Sequence, residues 1–409
     1  MRYGLVAPEL HGHLNPLTTL GQSLKNRGHD VIVLGSERAK RFADRSELDW
    51  FPMCDSPDIG AGWDFLGELS GLKALKFCGQ LIKRTMELTV EQAASVYKEK
   101  QLDALVVDQL SPAAAFVAER HALPFAVACN AIAIHLSPEI PPPALAWTYR
   151  SDLYGRLRNR LGNWLAIALF CRLSGAEATT GVDPMYLADL THTRGAAIVS
   201  QQPSCFDFPS HPRPENFFYT APWYRNGRDQ NIEFPWDRID SNKTLIYASL
   251  GTLQNKLMHV YHAILESVSG MDVQLVLSLG NPQGRIEFPI PPNTLVVPFA
   301  PQVELLEKAK LVITHAGLNT ALETLSKGLP MLCLPITNDQ PGVASRVKHL
   351  GLGETLPIRK ATSKRIRDNL EVLLSTDKYR TAARKLQSEF NSVDGAAKAA
   401  EIIDRAISC

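Results

Sequence analysis

Residues 313–340 read ITHAGLNTALETLSKGLPMLCLPITNDQ. LVIT, at Leu311–Thr314, is a short apolar run suited to a buried strand, and His315-Ala316-Gly317 is a turn. A helix starts near Leu318 and carries Leu322 and Leu325, and the apolar run PMLCLP follows it. Strand, turn, helix and strand make a βαβ unit of a parallel sheet. The first N–H groups of such a helix have no intrahelical partner, and its dipole is positive there, so the turn is suited to an anion. Gly317 lets the backbone approach a ligand, while His315, Asn319 and Thr320 add side-chain donors around a diphosphate. Glu323, one turn further on, would repel phosphate but suits the vicinal hydroxyls of a ribose. The competing reading is a capped helix with a surface glutamate. It accounts for single residues better than for the cluster as a whole.

Working outward, the same alternation covers the second half of the chain. TLIYASLGT, VQLVLSLG and NTLVVPF are further strands, with a helix near Val260–Val268. Ser249, Gly251 and Thr252 lie just after the first of these strands, where small hydroxyl residues also bind phosphate. The first half repeats the scheme. A strand at Tyr3–Pro8 leads through ELHGH into a helix carrying Leu17, Leu20 and Leu24, which Gly28 ends before the strand DVIVLGS. DALVVD and PFAVAC flank a helix at Pro112–Arg120. Near-continuous apolar strands of this kind belong to parallel sheets covered on both faces. The polar stretch 225–243 breaks the pattern. The division expected is therefore a first domain over 1–224, a linker over 225–243 and a second domain over 244–409, with the last helix packing back on the first domain.

The bulk numbers fit two domains. The chain has 409 residues, 45% hydrophobic and 21% charged, with a net charge of +1. That charge gives no reason to expect a nucleic-acid partner. The seven cysteines are scattered without a C-x-x-C pair, which suits a reduced, cytoplasmic protein. No apolar run approaches a membrane span, and MRYGLVAP lacks the apolar core of a signal peptide. G-x-G-x-x-G and Walker loops are absent, as are a D-x-D pair and a His/Cys ligand cluster, so no metal or cofactor is expected.

Three ordered segments carry a resemblance. FAPQVELL from Phe299, THAGLNTALE from Thr314 and PITNDQPGVASRV from Pro335 resemble the donor-binding signature of UDP-dependent glycosyltransferases. The resemblance implies an α/β GT-B fold, in which two Rossmann-like domains face a central cleft, and an inverting transfer from a nucleotide sugar. On it, Phe299 stands where the family's uracil-stacking Trp is found, and Gln302 falls on the base and ribose side. His315, Asn319 and Thr320 match the diphosphate ligands, with Leu318 in place of the plant family's Trp, and Glu323 matches the ribose carboxylate. Asp339 and Gln340 match the pair that reads the sugar hydroxyls and favours glucose, which makes UDP-glucose the expected donor and co-substrate. GHLNP, at Gly12–Pro16, matches the family's G-H-x-x-P motif, whose His is the general base. That assigns the role to His13 rather than His11, with Asp108, at the end of DALVVD, as the carboxylate that holds it. The bland reading of Asp108 is a cap for the following helix, and both hold if they use different oxygens.

The acceptor is read from apolar loops of the first half. Trp63, Phe65, Phe77, Ile134, Leu145 and Trp147 are the candidate pocket residues, with core packing as the competing role for each. VVDQLSPAAAFVAERHALPF, YASLGTLQ and NDQPGVASRV resemble the bacterial zeaxanthin glucosyltransferases of the family, which implies a hydroxylated apolar acceptor such as a xanthophyll. Soluble phenolic, flavonoid or macrolide acceptors are the alternative. A nucleotide-sugar epimerase and a non-catalytic sugar-nucleotide binding protein are the rival classes. An acceptor held in a bilayer implies loose peripheral membrane contact. The candidate segment is Tyr154–Phe170, with Trp164, Leu165, Ile167 and Phe170 entering the interface; a buried helix is the competing account.

Overall fold

A computed structural model describes residues 1–66, 69, 71–174, 177–183, 186, 194–209, 213–225, 232–253, 256–281 and 284–408. These residues form two units, each built on one parallel sheet.

The first unit contains β1 (Arg2–Val6), β2 (Asp30–Gly35), β3 (Asp49–Pro52), β4 (Ala104–Asp108), β5 (Phe125–Cys129), β6 (Ile198–Ser200) and β7 (Phe217–Tyr219), in the order β3-β2-β1-β4-β5-β6-β7. The helix His11–Asn26 follows β1 and buries Leu14, Leu17, Leu20 and Leu24 against Leu5, Val31 and Val33. Gly28 follows the end of that helix at φ +89°, the left-handed conformation that a glycine adopts without strain. The chain order reverses between β1 and β4. The loops leaving these two neighbours therefore diverge, opening a crevice at the carboxyl ends of the strands.

The second unit contains β8 (Thr244–Ser249), β9 (Val273–Ser278), β10 (Thr294–Val297), β11 (Leu311–Thr314), β12 (Met331–Cys333) and β13 (Gly353–Thr355), in the order β10-β9-β8-β11-β12-β13. Its reversal lies between β8 and β11. The core joins Ile246, Leu275, Leu277 and Ile313 of the sheet to Val260, Ile264, Ile366 and Leu370 of the flanking helices.

The units are not contiguous in sequence. The first comprises 1–142, 150–224 and 393–409, and the second 143–149 and 225–392. The single division expected at 225–243 therefore needs two corrections. First, 232–243 packs as part of the second unit, where Gln274 donates to the Arg238 carbonyl and accepts from the Asp240 N–H. Second, Pro143–Tyr149 also belongs there. The Ser345 hydroxyl donates to the Trp147 carbonyl, Tyr149 meets His349 edge to face, and a side chain at Gly342 would strike the Pro143 carbonyl. The helix Gly395–Ser408, expected to pack back on the first domain, lies in the core of the first unit. Ala396, Ala399, Ala400 and Ile403 enter it, and Asp404 pairs with Arg27 at 2.7 Å.

Candidate active site

In the second unit, the residues singled out from the sequence collect at the carboxyl ends of the strands. Ser249 ends β8, and its hydroxyl accepts from the Gly251 N–H at 3.2 Å. His315 follows β11, the neighbouring strand across the chain reversal. A Cβ at Gly317 would stand 2.5 Å from His315 Nε2, and one at Gly251 would stand 2.7 Å from Cε1. The imidazole therefore lies between two backbone segments that only glycine allows so close. Burial depresses its pKa to about 4, so the ring is neutral at pH 7 and acts as a hydrogen-bonding group rather than a cation.

Ala316 takes φ +66°, an uncommon conformation for a residue with a side chain, and the helix Leu318–Ser326 starts directly after it. The N-cap is Gly317, which has no side chain to occupy the helix's first N–H groups. Asn319 and Thr320 stand on that first turn, both part-buried. Glu323 is only 2% exposed and accepts from Gln302 Nε2 at 2.7 Å, while Gln302 Oε1 accepts from the Tyr247 hydroxyl at 3.1 Å. The structure thus joins Gln302 and Glu323, two residues far apart in sequence, and adds Tyr247. Phe299 is part-buried in the loop after β10, and Thr252 is exposed after β8.

At the end of β12, Gln340 Oε1 accepts from the N–H groups of Ile336 and Thr337 at 2.8 and 3.0 Å. That fixes the loop carrying Asp339. Among the described residues, no group of three or more His, Cys, Asp or Glu is arranged to hold a metal ion.

In the first unit, His13 lies in the first turn of the helix after β1, and Asp108 ends β4, on the two sides of that sheet's reversal. His13 Nδ1 stands 2.8 Å from Asp108 Oδ2. Since Nδ1–H donates to the carboxylate, the ring's lone pair is on Nε2. Asp108 is fully buried. Its Oδ2 also accepts from Asn130 Nδ2 at 2.6 Å, and its Oδ1 accepts from the Leu110 N–H at 2.7 Å. One oxygen of Asp108 therefore faces His13 and the other orders the turn at Leu110, ahead of the helix Pro112–Arg120, whose N-cap is Ser111 and carries no side-chain cap bond.

Residues 71–394 match the family described as UDP-glucoronosyl and UDP-glucosyl transferase. The chain belongs to that family. Its relatives include a zeaxanthin glucosyltransferase of Pantoea ananas, 28% identical over 98% of this chain and 95% of that protein. A second, from Pseudescherichia vulneris, is 26% identical over 99% and 98%. The solved structure of the kitacinnamycin glycotransferase aligns with a TM-score of 0.74 at 20% identity, covering 99% of this chain and 98% of the other. The fold is thus that of the GT-B glycosyltransferases, and the protein is a UDP-sugar-dependent transferase.

The acceptor candidates of the transferase fall in both units. Trp63 is buried, at 9% exposure, while Phe65 is exposed and meets Phe77 edge to face at 5.3 Å. Ile134 is part-buried, and its N–H donates to Gln109 Oε1. Leu145 and Trp147, expected with the first half, belong to the second unit, because Pro143–Tyr149 packs on the helix Gln340–His349. Asn130, Tyr247 and Gly280 escaped the sequence reading. Gly280 is needed because a Cβ there would stand 2.1 Å from the Gly251 carbonyl. Asn130 was within reach, since it follows β5 directly, as a polar residue at the crevice end of a strand beside β4.

Proposed function

We propose that this transferase moves a hexose, preferentially glucose, from a UDP-sugar to a hydroxyl group of an apolar small molecule of the xanthophyll class. The transfer inverts the anomeric carbon and needs no metal or cofactor. The observation that carries the reading is the His13 Nδ1–Asp108 Oδ2 bond, because it leaves Nε2 as the proton acceptor. His13 takes the acceptor hydroxyl proton, the oxygen bonds to the anomeric carbon from the face opposite UDP, and the bond from that carbon to the diphosphate breaks. A base aligned in this way is worth roughly 10² to 10⁴ in rate. The negative charge that develops on UDP is met by the N-terminus of Leu318–Ser326, by Asn319 and Thr320, and by neutral His315. Glu323, held by Gln302, takes the ribose hydroxyls, Phe299 offers a ring to the base, and Asp339 and Gln340 read the hexose. The resemblance to zeaxanthin glucosyltransferases supports the acceptor class.

The test is an acceptor screen with UDP-glucose, in the presence and absence of EDTA, with the product anomer read by NMR. Zeaxanthin in liposomes is compared with soluble flavonoids and macrolides. Glucosylation of zeaxanthin to the β-anomer with EDTA present is expected. Turnover of the soluble acceptors alone would reject the acceptor class, a strict metal requirement would reject the metal-free mechanism, and an α-anomer would reject inversion.

A further inference from the structure

The helix Leu153–Ser174 is packed the opposite way from an ordinary surface helix. Such a helix turns its apolar stripe toward the core and its polar residues outward. Here the face turned inward carries Gly155, Asn159, Gly162 and Asn163. The two asparagines pin it, Asn159 Nδ2 donating to the Pro138 carbonyl and Asn163 Nδ2 to the Ser137 carbonyl. The face turned outward carries Leu153, Leu157, Leu161, Trp164 and Leu165, with Leu153 72% and Trp164 63% exposed. At about 100° per residue these five fall within one third of the helix circumference, as one continuous stripe. Single exposed apolar side chains are ordinary, but a stripe four turns long is not.

Charge indicates what covers it. From Leu153 to Ser174 the sequence holds four arginines and no acidic residue. Arg160 borders the stripe on one side and Arg158 on the other, with Arg156 a little further round and paired with Glu139. A second copy of the same face would bring arginines against apolar residues or other arginines, and the flanking carboxylates Asp152 and Glu139 are already paired with Arg150 and Arg156. An apolar stripe rimmed by arginines instead matches a bilayer surface, with acyl chains below and anionic head groups beside them. Trp164 belongs to the stripe, and its amphipathic ring suits the head-group level. Beside the stripe an open groove of about 570 Å³ is lined by Leu136, Pro138, Arg160, Asn163, Trp164 and Ile167.

We infer that the outward face of Leu153–Leu169 is a docking surface for an anionic lipid bilayer. The helix lies in the plane of the interface and does not cross it; among the described residues no helix is long and apolar enough to span a membrane. This surface stands whatever the acceptor is. Ile167, expected in the contact, lines the groove instead, and the side chain of Phe170 lies outside the described residues.

The experiment is co-sedimentation of the full chain with phosphatidylglycerol-containing and pure phosphatidylcholine vesicles, with sedimentation velocity in parallel. The wild type binds the anionic vesicles and is released by high salt. Leu157→Glu combined with Trp164→Glu lowers partitioning by at least about tenfold, with the far-UV spectrum and melting temperature unchanged because both side chains are exposed. Arg160→Gln lowers binding to anionic vesicles by about fivefold and leaves binding to neutral vesicles unchanged. Three outcomes overturn the inference. They are no binding of the wild type to either vesicle, equal binding by the folded double variant, and a wild-type dimer that the double variant dissolves without any vesicle binding.

Discussion

Replacing Asp108 by Asn tests the proposed base most sharply, because the change keeps the shape and removes the charge. Asp108 is fully buried and accepts three hydrogen bonds, from His13 Nδ1, Asn130 Nδ2 and the Leu110 N–H. An asparagine has one acceptor oxygen for two positions. If its NH₂ takes the Oδ1 position, it opposes the Leu110 N–H. If it takes the Oδ2 position, it opposes Asn130 and drives the His13 proton to Nε2, the nitrogen that must accept a proton in the reaction. In both arrangements the imidazolium formed during transfer loses its counter-charge. With charge centres ~4 Å apart and an effective dielectric constant of ~20, that interaction is worth about 4 kcal/mol. Lost from the transition state alone, it lowers kcat by roughly a thousandfold. UDP binding should not change, since the donor residues belong to the other unit. The assay is UDP release at saturating acceptor and donor, with UDP affinity measured by calorimetry. A kcat within threefold of wild type would refute the role of Asp108. A loss of UDP affinity matching the loss of rate would show that the substitution acts by disturbing the structure.

Three further outcomes are expected. Glu323→Ala removes the proposed ribose carboxylate and leaves the Gln302 amide without its acceptor, so UDP affinity should fall by roughly tenfold in calorimetry. Gly317→Ala places a methyl group 2.5 Å from His315 Nε2. It should weaken UDP binding by at least about tenfold, and a variant that binds UDP like the wild type would show that the imidazole moves aside freely. The third concerns pH. Burial holds the pKa of His315 at about 4 in the folded chain, below the ordinary 6.5 of an imidazole. The unfolded chain therefore binds the extra proton first as pH falls. The stability linked to this residue is complete above pH 6.5 and is lost as pH falls toward 4. Melting temperature measured from pH 7.5 to 4.5 should decline less steeply in His315→Asn than in the wild type.

The strands and turns that frame the candidate site were legible in the sequence because they are local. An apolar run, a glycine turn and a helix at Leu318 announce themselves within a few residues, and the helix Pro112–Arg120 was found with its observed ends. What depends on distant partners was not legible. The Gln302–Glu323 bond, the placement of Asn130 against Asp108 and the fit of His315 between Gly251 and Gly317 each join segments that only the sheet order brings together. Edge strands β7 and β13 are three residues long, and Gly353-Glu354-Thr355 carries no apolar pattern to mark it. The segment Pro143–Tyr149 reads as an apolar loop of the first half, and nothing in its composition says that it belongs to the second. The helix Leu153–Ser174 shows the reverse problem. Its sequence sets arginines beside an apolar run and does not say which face is turned inward.

The helix Gly395–Ser408 has a consequence for how the protein is made. It supplies Ala396, Ala399, Ala400 and Ile403 to a core whose other members lie between Tyr3 and Trp223. On a ribosome adding ~5–20 residues per second, the nascent first sheet waits roughly ten to forty seconds for its last helix. During that interval the apolar face of His11–Asn26 is left partly uncovered, while the second sheet can already assemble from 225–392. The first unit begun is thus the last one finished, and its unfinished face is a surface that chaperones would recognise on the nascent chain.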